Sequence, residues 1–199
     1  MKEYVITVQK ELDWDNVPKA HISTYKWAEG GYEPECFGQL ALLENGDLCV
    51  KMTAYETNPR ATYKNFCDPV CCDSCLEFFA ALENGSEDYI NIEVNPNGTY
   101  YASKRRGEET TYFDSILPAL PIVKVEKTDT FWSVEYRLTA ADLKLLFPNV
   151  TLKSGFSVRG NFYKCGDETE IPHYGMWNEI TGDLISFHQP KLFGKFTIA

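Results

Sequence analysis

A pattern of short runs, each apolar throughout or alternating between apolar and polar positions, repeats along most of this chain. The runs Tyr4 to Val8, Gln39 to Leu43, Asp47 to Tyr55, Leu76 to Leu82 and Tyr89 to Asn95 show it first. Tyr100 to Ser103, Lys124 to Lys127, Phe131 to Leu138, Phe156 to Lys164 and Lys195 to Ile198 continue it. Successive strand side chains point to opposite faces, so these runs read as strands. Asn45-Gly46-Asp47, Asn84-Gly85-Ser86, Asn97-Gly98 and Gly182-Asp183 separate them. Asn-Gly supplies the positive φ that tight hairpins need. Many short strands with such turns predict a single-domain, all-β, mainly antiparallel β-sandwich, not alternating βα units. One helix is predicted: Thr139 and Asp142 make a capping pair, Leu143, Leu145, Leu146 and Phe147 follow, and Pro148 stops it. It is expected to plug one end of the sandwich. Residues 1–199 are read as one domain, with 1–38 an N-terminal extension packed on it. Glu56 to Asp73 is a long irregular segment of the kind that often carries function.

Charge narrows the partners. With 19 basic and 29 acidic residues the net charge is −10, which argues against nucleic acid and against anionic membranes. Lys104-Arg105-Arg106, the dense basic spot, is read as part of a solvated loop. No apolar run reaches membrane-spanning length. Met1 to Lys10 lacks the apolar run of a signal peptide, and the seven cysteines are an odd number. Free thiols in a reducing cytoplasm are the expectation. Oligomeric state is left open.

Several strands carry polar residues where apolar ones belong. Asp73-Ser74-Cys75-Leu76-Glu77-Phe78-Phe79, Tyr89-Ile90-Asn91-Ile92-Glu93-Val94-Asn95, Trp132-Ser133-Val134-Glu135-Tyr136, Gly160-Asn161-Phe162-Tyr163-Lys164 and Phe187-His188-Gln189-Pro190-Lys191-Leu192-Phe193-Gly194 are the clearest. Buried polar groups are costly unless partnered, so the pattern points to a polar site built on a sheet. Such a site suits a hydroxyl-rich ligand held without chemistry. Sugars present apolar C–H faces and polar rims, which flat rings and carboxylates or amides fit. Tyr174, Trp177, Phe187 and His188 are candidate rings; Glu77, Asn95 and Gln189 are candidate polar contacts. Trp27 also stands out among the tryptophans, and Trp132 is read as core. The cysteines at 67, 71, 72 and 75 include one C-x-x-C spacing, but a second separate pair and glycine knuckles are missing. They are read as structural thiols, with no stoichiometric zinc expected. The three histidines lie in no recognisable nucleophile turn, and no glycine-rich phosphate loop is present.

These phrases, in this order, resemble the family 9 carbohydrate-binding modules and their DOMON-like relatives, from about Gln39 to the end. The resemblance implies a jelly-roll-like (or immunoglobulin-like) sandwich that binds the ends of plant polysaccharide chains. Glu77 matches the glutamate of the family's Asp-Ser-x-x-Glu strand, which contacts sugar hydroxyls. Asn95 matches an asparagine that also contributes, while Glu93 stands where the family has an arginine. The family clamps the sugar between two tryptophans; Cys71 and Phe187 occupy those positions here. Structural calcium is common in the family, yet no calcium loop can be matched, and no cofactor is expected. The expected ligand site is therefore Glu77, Glu93, Asn95, Tyr174, Trp177, Phe187 and His188, binding a mono- or oligosaccharide, with no catalytic residue and no metal. Two rival readings stay open: an intracellular enzyme or accessory acting on sugars through His173, His188 and nearby acids, and a protein-interaction sandwich that has lost its ligand.

Overall fold

The structure, a computed structural model, describes residues 1–28 and 30–199. Among them fourteen strands are found: β1 (Glu3–Gln9), β2 (Ala20–Ile22), β3 (Thr24–Tyr25), β4 (Cys36–Leu43), β5 (Leu48–Ala54), β6 (Cys75–Ala81), β7 (Tyr89–Val94), β8 (Tyr100–Arg106), β9 (Glu109–Tyr112), β10 (Lys124–Lys127), β11 (Trp132–Leu138), β12 (Ser157–Gly166), β13 (His173–Met176) and β14 (Gly194–Ile198). The one α-helix, α1 (Ala140–Leu146), begins at Thr139, whose side chain and that of Asp142 cap each other's backbone N–H as the sequence predicts. Leu143 and Leu146 bury its inner face. The protein is all-β, as expected.

The strands form one curled sheet in the order β10-β11-β5-β4-β1-β14-β12-β6-β7-β8-β9. The sheet is mixed: mainly antiparallel, with parallel pairs at β1. β1 runs parallel to both neighbours: Glu3 to Ile6 pair with β14, and Thr7 to Gln9 pair with β4. Hairpin connections force antiparallel pairing, and β1 has no hairpin to either neighbour, so its direction is free. The N-terminal 38 residues, expected as an extension, thus supply the strand that joins the two halves of the sheet.

The two-residue period sorts β6 between two compartments. Leu76, Phe78 and Ala80 enter a main core with Leu40, Leu42, Val50, Met52, Phe162 and Phe196 from the rest of the sheet. Cys75, Phe79 and Ala81 enter a second cluster with Val70, Tyr163, Met176, Ile180, Phe187 and Phe193. That second face is covered by the turn at Val70–Cys72 and by the segment leading into β14, both irregular. All seven residues of β6 are buried as a result.

Two local readings change. Lys104-Arg105-Arg106 lies in β8, not in a solvated loop; Lys104 and Arg106 both pair with Asp88. Trp177, expected in the ligand site, is in the main core, with its ring 5.4 Å from that of Phe196 and 6.3 Å from those of Tyr4 and Phe162. The ring lies directly over Gly194, where an added Cβ would come within 2.3 Å of Trp177 Cζ3. This explains the closing Phe193-Gly194: Phe193 enters the second cluster, and the glycine makes room for the indole.

Gly194→Ala should therefore lower stability by about 1–3 kcal/mol through overpacking, and Trp177→Ala by about 3–5 kcal/mol through loss of a buried ring. Urea midpoints at constant m-value check both. Wild-type stability in Trp177→Ala would contradict its placement in the core.

Candidate functional site

A row of facing residues crosses four strands on the second face of the sheet. Tyr163 on β12 pairs with Glu77 on β6, Glu77 with Glu93 on β7, and Glu93 with Tyr101 on β8. The next row, Asn161, Phe79, Asn91 and Ser103, lies beside it. Ser103 Oγ donates to Asn91 Oδ1 at 2.5 Å, Asn91 Nδ2 donates to Glu93 Oε1 of the first row at 2.8 Å, and Asn161 is tied to the Asn178 backbone. The irregular segments that cover this face leave a cavity of about 500 Å³ over the first row.

Glu77, Glu93, Tyr101 and Arg105 reach the cavity from the sheet. Trp27, Tyr174, Ile185, Phe187 and His188 also line it. Cys67, Pro69, Cys71, Cys165 and Asp167 complete the lining, and Cys165 is the ladder partner of Tyr174. Phe187 stacks on Tyr163 with ring centres 4.1 Å apart and planes 12° off parallel, so one of its faces is already taken. Trp27 stands against Phe187 at 5.5 Å and Tyr174 at 6.3 Å. Trp27 and Cys67 both have left-handed backbones, φ 67° and 63°. Such conformations are uncommon for residues with side chains and collect at functional sites.

The electrostatics are unusual for a buried sheet. Burial, then repulsion from Glu93, pushes the Glu77 carboxyl well above the usual carboxylate range. Burial pushes Glu93 up to about 7, against the pull of Asn91 and Arg105. Glu77 Oε1 accepts from the Cys165 thiol at 2.8 Å. Two carboxyls paired across adjacent strands, both held above the usual carboxylate range, turn their oxygens toward a ligand in the cavity. Arg105 adds a guanidinium whose buried Nε has no hydrogen-bond partner among the described residues. Burial lowers His188 to about 4, so its neutral ring shares a hydrogen bond with Tyr89 Oη at 3.0 Å and lies 4.9 Å from the Phe79 ring.

Of the seven residues expected here, Glu77, Glu93, Tyr174, Phe187 and His188 line the one cavity. Asn95 and Trp177 do not. Asn95 is fully buried, and its amide is fully used. Its Nδ2 donates to Tyr63 O at 3.0 Å and Asp73 Oδ2 at 2.9 Å, and its Oδ1 accepts from Asn97 N and Thr99 N. It shapes the β7–β8 turn and ties that turn to the 60–63 segment. Asp73 and Ser74 do related work: Asp73 Oδ2 accepts from Thr62 N and Tyr63 N, and Ser74 Oγ accepts from Arg60 N. Gln189 is likewise tied up, donating to Leu184 O and Ser186 O.

Trp27, singled out among the tryptophans but not placed in the expected site, and Arg105 both line the cavity. Trp27 lies upstream of the stretch that carries the resemblance. Arg105 was hidden in a basic run, although strand alternation places it opposite in direction to Lys104 and Arg106, and Tyr89 pairs with it.

Comparison with known proteins agrees with this architecture. A protein of Bacteroides uniformis, a candidate carbohydrate-binding protein, has a similar fold, with a TM-score of 0.80 and 20% identity over 100% of this chain and 99% of that one. Family 9 carbohydrate-binding modules of Caldicellulosiruptor kristjanssonii, solved with cellotriose and with glucose, both give TM-scores of 0.70 at 16% identity. The first comparison covers 99% of this chain and 93% of that one, the second 100% and 96%. No curated protein matches the chain. Residues 7–198 match the sequence pattern of Carbohydrate-binding family 9, and the chain belongs to that family.

Proposed function

We propose that this cavity holds the end or a short segment of a carbohydrate chain by stacking and hydrogen bonding, with no chemistry. One observation carries the reading: the flat rings of Trp27, Tyr174 and Phe187 and the polar row of Glu77, Glu93 and Arg105 meet in the same cavity. The rings suit the C–H faces of a sugar, and the carboxyl pair and guanidinium suit its hydroxyls. Where the family's resemblance places Cys71 instead of a tryptophan, Trp27 supplies the ring from another segment. Where it places Glu93 instead of an arginine, Arg105 supplies the guanidinium from the adjacent strand. The glucose and cellotriose bound by the Caldicellulosiruptor kristjanssonii modules support a glucose-based ligand. The same reading takes the curled sheet as a jelly-roll-like sandwich akin to the DOMON domains.

Isothermal titration with glucose, cellobiose, cellotriose and other oligosaccharides tests the proposal. Dissociation constants in the micromolar to millimolar range are expected, or about −4 to −8 kcal/mol. If no sugar binds at millimolar concentration, the interaction-domain reading takes its place. Trp27→Ala should weaken binding by about 1–3 kcal/mol with little change in melting temperature, since the ring is only half-buried. Loss of stability with unchanged affinity would remove Trp27 from the site.

The carboxyl pair also makes a pH prediction. An acid whose folded pKa is raised favours the folded state most when protonated. That contribution is complete below about 4.5, the unfolded value, and is lost as pH rises through about 7, the folded value of Glu93. Melting temperature should therefore fall between those limits, and Glu93→Gln should flatten the fall. An unchanged slope in Glu93→Gln would show that other groups set it.

A further inference from the structure

The sugar-binding reading leaves a group of thiols beside the cavity without a role. Cys71 and Cys72, in the turn Val70–Cys72, meet Asp167, which follows β12. One sulfur from each cysteine and a carboxylate oxygen of Asp167 lie within 4.8 Å of one another. Two backbone hydrogen bonds staple the pieces together: Asp167 N donates to Cys71 O at 2.9 Å, and Glu168 N donates to Cys72 O at 3.2 Å. The donors are therefore held by main chain on both sides and do not merely happen to meet on a mobile surface.

We infer that Cys71, Cys72 and Asp167 form a binding site for a thiophilic divalent cation of the zinc class. Two sulfurs and a carboxylate make three ligands of the zinc type, and a tetrahedral site with Zn–S near 2.3 Å puts its sulfurs about 3.8 Å apart, a small closure from the present spacing. Thiolate donors select against calcium and magnesium. The fourth position falls to water or to the Glu168 carboxylate, which lies beside the Cys72 thiol. The C-x-x-C spacing misleads here. Cys75 turns into β6, where its sulfur joins Cys165 and Glu77 in a separate, fully buried group. There the Cys165 thiol already donates to Glu77, and no donor is half-exposed as Cys71 and Cys72 are. The second cysteine pair that the sequence lacks is not needed here, because the sequentially distant Asp167 supplies the third donor.

The reduced, chelator-stripped full chain titrated with Co²⁺ and then Zn²⁺ is the test. One equivalent of Co²⁺ should bring a sulfur-to-cobalt charge-transfer absorption that Zn²⁺ abolishes. Cys72→Ser and Asp167→Asn should each weaken Zn²⁺ binding at least about tenfold, while Cys67→Ser should leave it unchanged. Circular dichroism confirms that each variant is folded. Wild-type uptake below one equivalent overturns the proposal. So does uptake that survives Cys72→Ser but is lost in Cys75→Ser, which would move the ion to the buried group. None of these readouts involves sugar, so the metal site and the carbohydrate reading stand or fall separately.

Discussion

A sheet buried on both faces has nowhere to hide a polar side chain, and this constraint shapes the molecule. Strand alternation sends Leu76, Phe78 and Ala80 into the main core, so the residues between them must occupy a second interior. Apolar members of that set pack against Val70, Tyr163 and Phe193. Glu77 and Glu93 cannot do the same, because an unpartnered buried carboxylate is strongly disfavoured. They take partners in Cys165 and Asn91 and keep an open cavity above. The cavity follows from where polar residues fall in a two-residue period.

The same logic governs the far end of β12. Lys164 is fully buried, and its ammonium donates to Cys165 O at 2.9 Å and to His173 Nε2 at 2.6 Å, with Glu56 at 3.4 Å. Burial and the adjacent ammonium lower His173 to about 4, so the ring is neutral and accepts from the lysine while its Nδ1–H donates to Ile171 O. Glu56 in turn accepts from Trp132 Nε1 at 2.8 Å and Tyr32 Oη at 3.3 Å. A buried ion pair of this kind adds little net stability, yet removing one partner strands the other. It anchors the start of the irregular 56–73 segment, as Asp73 and Asn95 anchor its later part. That segment carries Cys67, Pro69 and Cys71 to the cavity. His173, one of the two histidines named in the rival enzyme reading, is thus committed to this buried network.

Strands and helix were legible because both rest on local pattern: alternation for the strands, and Thr139 with Asp142 for the helix. The parallel pairing of β1 was not, since no local signal sets the direction of a strand without a hairpin. Glu77 and Glu93 were legible as polar residues in apolar runs. Asn95 gave the same signal for a different reason, since a buried amide serves a turn as well as it serves a ligand. Trp177 and Phe187 look alike in sequence, each an aromatic near the C-terminus. Only the packing separates them: Trp177 lies over Gly194 in the main core, and Phe187 stacks on Tyr163 at the cavity.

Trp27 shows why cavity walls are the hardest part to read. Its ring reaches the site from a segment before β4, with a left-handed backbone that no residue pattern announces. The floor of the site is set by strand register, where moving one residue would flip every side chain to the other face. The walls are irregular segments under no such rule. In this chain Trp27 stands at the cavity together with Cys71, and Arg105 together with Glu93, and the ladder pairs of the floor are intact around them. Strand period and register make Glu77 and Glu93 readable as polar residues in apolar runs, whereas the ring of Trp27 reaches them along an irregular segment that no period describes.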